Sequence, residues 1–109
     1  MVRTYNLEIL TTAQRELEEI ALVHLELVGP VSARNITNKI YGSLERLKVY
    51  PHSGALPRDS QIRDAGYRYV FSGKYVCIYR LVENTVFIYH IVHGATDYPR
   101  LLKDSQDPL

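Results

Sequence analysis

Toward its C-terminus the chain reads VFIYHIVHGATDYPRLL, Val86 to Leu102, and leaves His93, Asp97 and Tyr98 together where a β-rich run breaks at Gly94. Arg68, Lys74 and Arg80 lie in the β-rich runs just before, and His52, Arg58 and Arg63 in the segment preceding those. Metal-free cleavage of an RNA phosphodiester needs groups of these types. A base takes the 2′-hydroxyl proton, an acid protonates the leaving oxygen, and cations hold the charge on the phosphate. Histidine titrates near neutrality unaided, whereas tyrosine does so only if its pKa falls far below about 10. The types suffice, but cleavage also requires their convergence on one phosphate. The plainer reading is that His93 and Asp97 bond the backbone of a turn that closes a sheet, as aspartate readily does.

The remaining candidates divide in the same way. In strands Arg68 shares a face with Val70, and Arg80 with Val76, Ile78 and Val82. A charge is seldom buried unpaired, so each must reach an edge, pair with an acid such as Glu83, or meet a partner. Nine tyrosines, five of them at 67, 69, 75, 79 and 89, could stack nucleobases. They are also good strand residues that keep a hydroxyl wet. His90 and His93 stand three apart in a strand and so point to opposite faces, which argues against a shared metal. No cofactor is expected. His24 falls on the inner stripe of a helix and reads as a hydrogen-bonded core histidine, and Cys77 as a small buried hydrophobe.

The elements that must position these groups follow from periodicity. Residues 2–9 alternate as a first strand. A helix begins at Thr11, with Gln14 at capping-box spacing, carries Ala13, Leu17, Ile20, Ala21 and His24 on one stripe, and stops at Gly29-Pro30. Ser32 is the expected cap of a second helix, whose Ala33, Ile36, Ile40, Leu44 and Leu47 form one face and which ends before Pro51. The short link makes the two an antiparallel hairpin. Residues 51–66 read as loop. Three strands follow, divided by Ser72-Gly73 and Glu83-Asn84, an antiparallel meander. The expected fold class is α+β, in the order β-α-α-β-β-β, with the helices packed on one face of a small sheet. The other, tyrosine-rich face forms a second small core or receives a partner. Residues 103–109 read as a frayed tail.

Length and composition set outer bounds. A chain of 109 residues is expected to be a single domain. One cysteine excludes an internal disulfide and suits the cytoplasm, and no apolar run is long enough to span a membrane. Residues 34–80 hold nine bases against Glu45, Asp59 and Asp64, a local charge of +6, while residues 1–28 hold five acids against Arg3 and Arg15. The middle segment suits a polyanion or an acidic partner.

The element order, together with YPHSGALPRD, GKYVCIYRLVENTVFIYHIVHGATDY and the leucines after it, resembles the RelE/ParE superfamily, the toxins of bacterial type II toxin–antitoxin modules. The resemblance runs from the first strand to about Leu102. His93-Gly94-Ala95-Thr96-Asp97 and Tyr75-Val76-Cys77-Ile78-Tyr79-Arg80 are more similar to the ParE-like branch, which acts on DNA gyrase. RelE-like members cut messenger RNA on the ribosome. That branch often has arginines at positions that align with Val76 and Thr96. The resemblance implies a cognate antitoxin, a hetero-oligomer with it, and gyrase as target. Arg58, Arg63, Lys74, Arg80 and Asp97 would bind target or antitoxin. Its alternative implies ribosome and messenger RNA, with Arg68, His93 and Tyr98 as the catalytic set. A third implication is a degenerate toxin that only binds its antitoxin as co-repressor.

Overall fold

The computed structural model describes residues 3–104, Asp104 by its backbone alone. The elements are β1 (Asn6–Ile9), α1 (Thr11–Leu27), α2 (Pro30–Arg46), α3 (Ser60–Asp64), β2 (Tyr67–Ser72), β3 (Tyr75–Val82), β4 (Thr85–His93) and α4 (Tyr98–Asp104). The strands form one sheet in the order β1-β4-β3-β2. The meander is antiparallel, as its two-residue turns require. β1 joins it in parallel beside β4, so the sheet is mixed. Parallel pairing follows from the intervening chain: the two helices and the meander carry β4 back to the first strand in the same sense.

Both helix starts differ from the sequence expectation. At α1 the N-cap is Leu10, with no side-chain cap. The Leu10 amide still bonds the Ile88 carbonyl at 3.0 Å, so the chain passes from strand into helix with no room for Thr11 as a cap. At α2 the N-cap is Gly29 and Pro30 occupies the first turn, where its fixed φ and missing amide cost nothing. Gly29 has φ +131°, a conformation L side chains avoid. Ser32, freed from capping, bonds His24 Nδ1 at 3.1 Å. The expected 51–66 loop contains a helical turn, α3, whose cap Asp59 accepts from the Gln61 and Ile62 amides. The β2–β3 turn is Gly73-Lys74, one residue later than expected, because Ser72 pairs with Tyr75.

The hairpin of α1 and α2 covers one sheet face. Ala13, Leu17, Ile40, Leu44 and Leu47 bury themselves against Cys77, Tyr79, Val86, Ile88 and Ile91. Burial pushes the Cys77 thiol up to about 12, which leaves it inert. His24 joins this layer through Nε2 and the Tyr75 hydroxyl, 3.0 Å apart. The opposite face carries the second core: Tyr69, Val76 and Ile78, packed against Tyr67, Val92 and, from α4, Tyr98 and Leu102. A helix therefore lies on each face. Lys103 belongs to α4 and pairs with Asp59, so the expected fraying does not begin there; residues 105–109 lie outside the described residues.

Candidate functional site

The segment between α2 and β2 is held to the sheet by three fixed points. The Tyr79 hydroxyl donates to the Pro51 carbonyl at 2.8 Å and accepts from the Gly54 amide at 2.9 Å. Ala55 and Tyr69 exchange backbone hydrogen bonds of 2.7 and 3.0 Å. Arg68 Nη1 donates to the carbonyls of His52 and Gly54 at 3.2 and 3.0 Å. Arg68 thus solves its charge problem through loop carbonyls, not an acid.

These anchors set Leu56, Arg58 and Asp59 against the second-core face, where a cavity of about 410 Å³ opens between them and Tyr69, Phe71 and Tyr98. Leu56 and Phe71 are 56% and 55% exposed, so the walls are wet apolar groups. The Tyr69 and Tyr98 rings meet edge to face at 4.8 Å. The Tyr69 hydroxyl is buried with no hydrogen-bond partner among the described residues. Burial, then the Tyr98 and Asp59 charges, push its pKa up, so it stays a donor. Asp59 ties α3 to α4, and its hydrogen bond to Lys103 holds its carboxyl below the usual 3.8. The arrangement can seat a flat or apolar group, with a cation at Arg58 and a hydroxyl at the floor.

The structure does not gather Arg68, His93 and Tyr98 around one point. Arg68 is bound to the loop as described. His93, exposed at the end of β4, lies edge to face with Tyr75 at 5.7 Å, and its Nδ1 accepts from the Ala95 amide at 3.0 Å. Tyr98 packs on Tyr69, a residue of the other sheet face. Asp97 Oδ1 accepts from the Arg100 amide at 3.4 Å at the start of α4. The His93 and Asp97 side chains therefore bond nearby backbone amides. Arg80 lies over the Tyr67 ring at 5.2 Å instead of pairing with Glu83, a cation–π contact. Arg63 donates to the Pro57 carbonyl at 3.3 Å, and Lys74 is exposed in the β2–β3 turn. Among the described residues, no three His, Cys, Asp or Glu side chains gather as a metal site would need.

Leu56, Phe71 and Asp59 were not singled out from the sequence as site residues, and Tyr69 entered only among the tyrosines able to stack nucleobases. Asp59 carried a signal, since Asp before Ser-Gln-Ile is an N-cap pattern. Nothing in the sequence set Tyr69 apart from the other strand tyrosines, because its burial depends on α4 folding over it.

The family model "ParE toxin of type II toxin-antitoxin system, parDE" matches residues 7–98, and the chain belongs to this family. Among solved structures, one titled as the chromosomal ParDE toxin–antitoxin system of P. aeruginosa superposes with a TM-score of 0.70 at 18% identity, covering 84% of this chain and 97% of that one. The toxin–antitoxin complex RelBE2 of Mycobacterium tuberculosis gives a TM-score of 0.58 at 21% identity, over 88% of this chain and 98% of that one. No curated protein matches by sequence. No helix among the described residues is long and apolar enough to cross a membrane.

Proposed function

We propose that this toxin arrests growth by binding and corrupting DNA gyrase in the cytoplasm, catalyses no reaction itself, and is held inactive by a cognate antitoxin in a hetero-oligomer. The observation that carries the reading is the separation of its three best catalytic groups: Arg68 clamps loop carbonyls, His93 bonds the Ala95 amide, and Tyr98 packs on Tyr69. A nuclease that stabilises charge in flight needs preorganised groups on one phosphate; a surface that traps another enzyme does not. Membership of the ParE family supports gyrase as the target. The antitoxin is supported by the titles of the similar solved structures, a ParDE system and a RelBE2 toxin–antitoxin complex. The contact surface would include Arg58, which lines the cavity of Tyr69 and Tyr98, together with Arg63, Lys74, Arg80 and Asp97.

The rival reading, a ribosome-dependent ribonuclease, draws on that same cavity, where Arg58 and two tyrosines could hold a nucleotide. Induced expression of Arg68→Ala, His93→Ala and Tyr98→Ala separates the two. Non-catalytic action predicts that His93→Ala arrests growth as the parent does; loss of arrest in all three folded variants would favour the ribonuclease. A parent chain that never slows growth would leave only antitoxin binding and co-repression.

A further inference from the structure

Two cavities larger than that of Tyr69 hold polar groups that already satisfy one another. In one of about 540 Å³ at the hairpin tip, His24 bonds the Ser32 and Tyr75 hydroxyls at 3.1 and 3.0 Å. In one of about 510 Å³ beside Tyr50, Arg3 donates to the Asn84 side chain at 2.8 Å and lies over the Tyr5 ring. The 410 Å³ cavity on the second-core face differs. Tyr69 lines it, is only 7% exposed, and its hydroxyl has no hydrogen-bond partner among the described residues. A buried donor left without an acceptor costs stability. The two groups whose charges act on this hydroxyl, Tyr98 and Asp59, line the same cavity. The hydroxyl therefore ends at the cavity's inner wall, where a ligand atom can accept from it.

The rest of the lining narrows the ligand. Leu56, Phe71, Tyr98 and Pro99 give apolar and aromatic walls that suit a flat ring system. Charge sets which way round it lies. The Asp59 carboxylate acts on the buried hydroxyl and repels an anion placed there. Arg58 is exposed and has no ion pair among the described residues. An anionic group therefore belongs at Arg58. The buried end must be a neutral acceptor, because desolvating a charge costs far more than desolvating a dipole. A nucleotide would also bring a sugar, and the apolar walls offer its oxygens no partner.

We propose that this cavity binds a flat heteroaromatic monocarboxylate, whose ring acceptor takes the hydrogen bond of the Tyr69 hydroxyl and whose carboxylate lies on the Arg58 guanidinium. The site belongs to the free chain and needs neither gyrase nor antitoxin, so it stands or falls apart from the target proposed above.

The test titrates the full ¹⁵N-labelled chain with quinoxaline-6-carboxylate, followed by amide shifts and calorimetry. Quinoxaline carries the ring acceptors without the charge; 2-naphthoate carries the charge and shape without the acceptors. Shifts are expected to centre on Leu56, Tyr69 and Phe71, and each comparison compound should bind about ten-fold more weakly. Tyr69→Phe should bring quinoxaline-6-carboxylate down to the level of 2-naphthoate and leave 2-naphthoate unchanged. Arg58→Met should bring it down to the level of quinoxaline. Tyr69→Phe should also melt no lower than the parent, since it removes a hydroxyl without a partner; a lower melting point would show that hydroxyl already bonded and overturn the assignment. Equal binding of the heteroaromatic acid and 2-naphthoate, shifts confined to another surface, or no binding at millimolar concentration overturns it as well. Tighter binding of thymidine monophosphate than of the acid does so too, and gives the cavity to a nucleotide.

Discussion

The Tyr79 hydroxyl joins Gly54 to the sheet: it accepts a hydrogen bond from the Gly54 amide at 2.9 Å and donates one to the Pro51 carbonyl at 2.8 Å. Tyr79 is fully buried and burial raises its pKa, so this hydroxyl is a permanent donor. Tyr79→Phe should cost about 2 kcal/mol in chemical denaturation, since it strands a buried amide and a buried carbonyl at once. The loop bearing Leu56 and Arg58 should loosen with it, seen as faster amide exchange at Gly54 and Ala55.

Gly54 is required for space. A Cβ there would lie 2.7 Å from Tyr79 Cε1 and 2.9 Å from the Tyr69 carbonyl oxygen, inside contact distance to a buried ring and to backbone. Gly54→Ala is expected to lose about 3 kcal/mol of stability. Gly42, which has nothing near its would-be Cβ, is the matched control: Gly42→Ala sits mid-helix in α2 and should gain about 0.5–1 kcal/mol.

Arg68 holds the same loop from the strand side. Arg68→Ala should cost about 1–2 kcal/mol, since a charged donor to two carbonyls is lost. Arg68→Lys should recover only part of it, because an ammonium lacks the planar fork. A positioning role predicts that growth arrest falls in step with the folded fraction and is restored at lower temperature.

The Asp59–Lys103 pair makes α4 docking pH-dependent. Lys103 and the α3 amides hold the Asp59 carboxyl below 3.8, so its contribution is present above that value and is lost as pH falls through the lower folded pKa. Lys103→Met should therefore melt lower than the parent at pH 7, and the two melting curves should draw together as acid protonates Asp59 below the ordinary carboxylate range.

The fold was legible where periodicity carried it. The stripe from Ala33 through Leu47 placed the second helix, the β-rich runs with short turns between them placed the meander, and Gly29-Pro30 placed the turn between the helices. What the sequence left unread was set by tertiary contacts. Thr11 lost its capping role because Leu10 was still paired to Ile88. Ser32 lost its own because Pro30 opened the helix and His24 claimed the hydroxyl. β1 declared itself as a strand but not its partner, which depends on where β4 returns. At the site, His93 and Asp97 could be named by type, yet the cavity needed Tyr69, Leu56 and Phe71, whose meeting depends on α4 folding across the sheet.

The most direct test of the central claim is supercoiling of relaxed plasmid by purified gyrase and ATP with increasing amounts of this protein. The account predicts lost supercoiling with trapped, cleaved DNA. Unchanged supercoiling in the presence of protein that still arrests growth would contradict it.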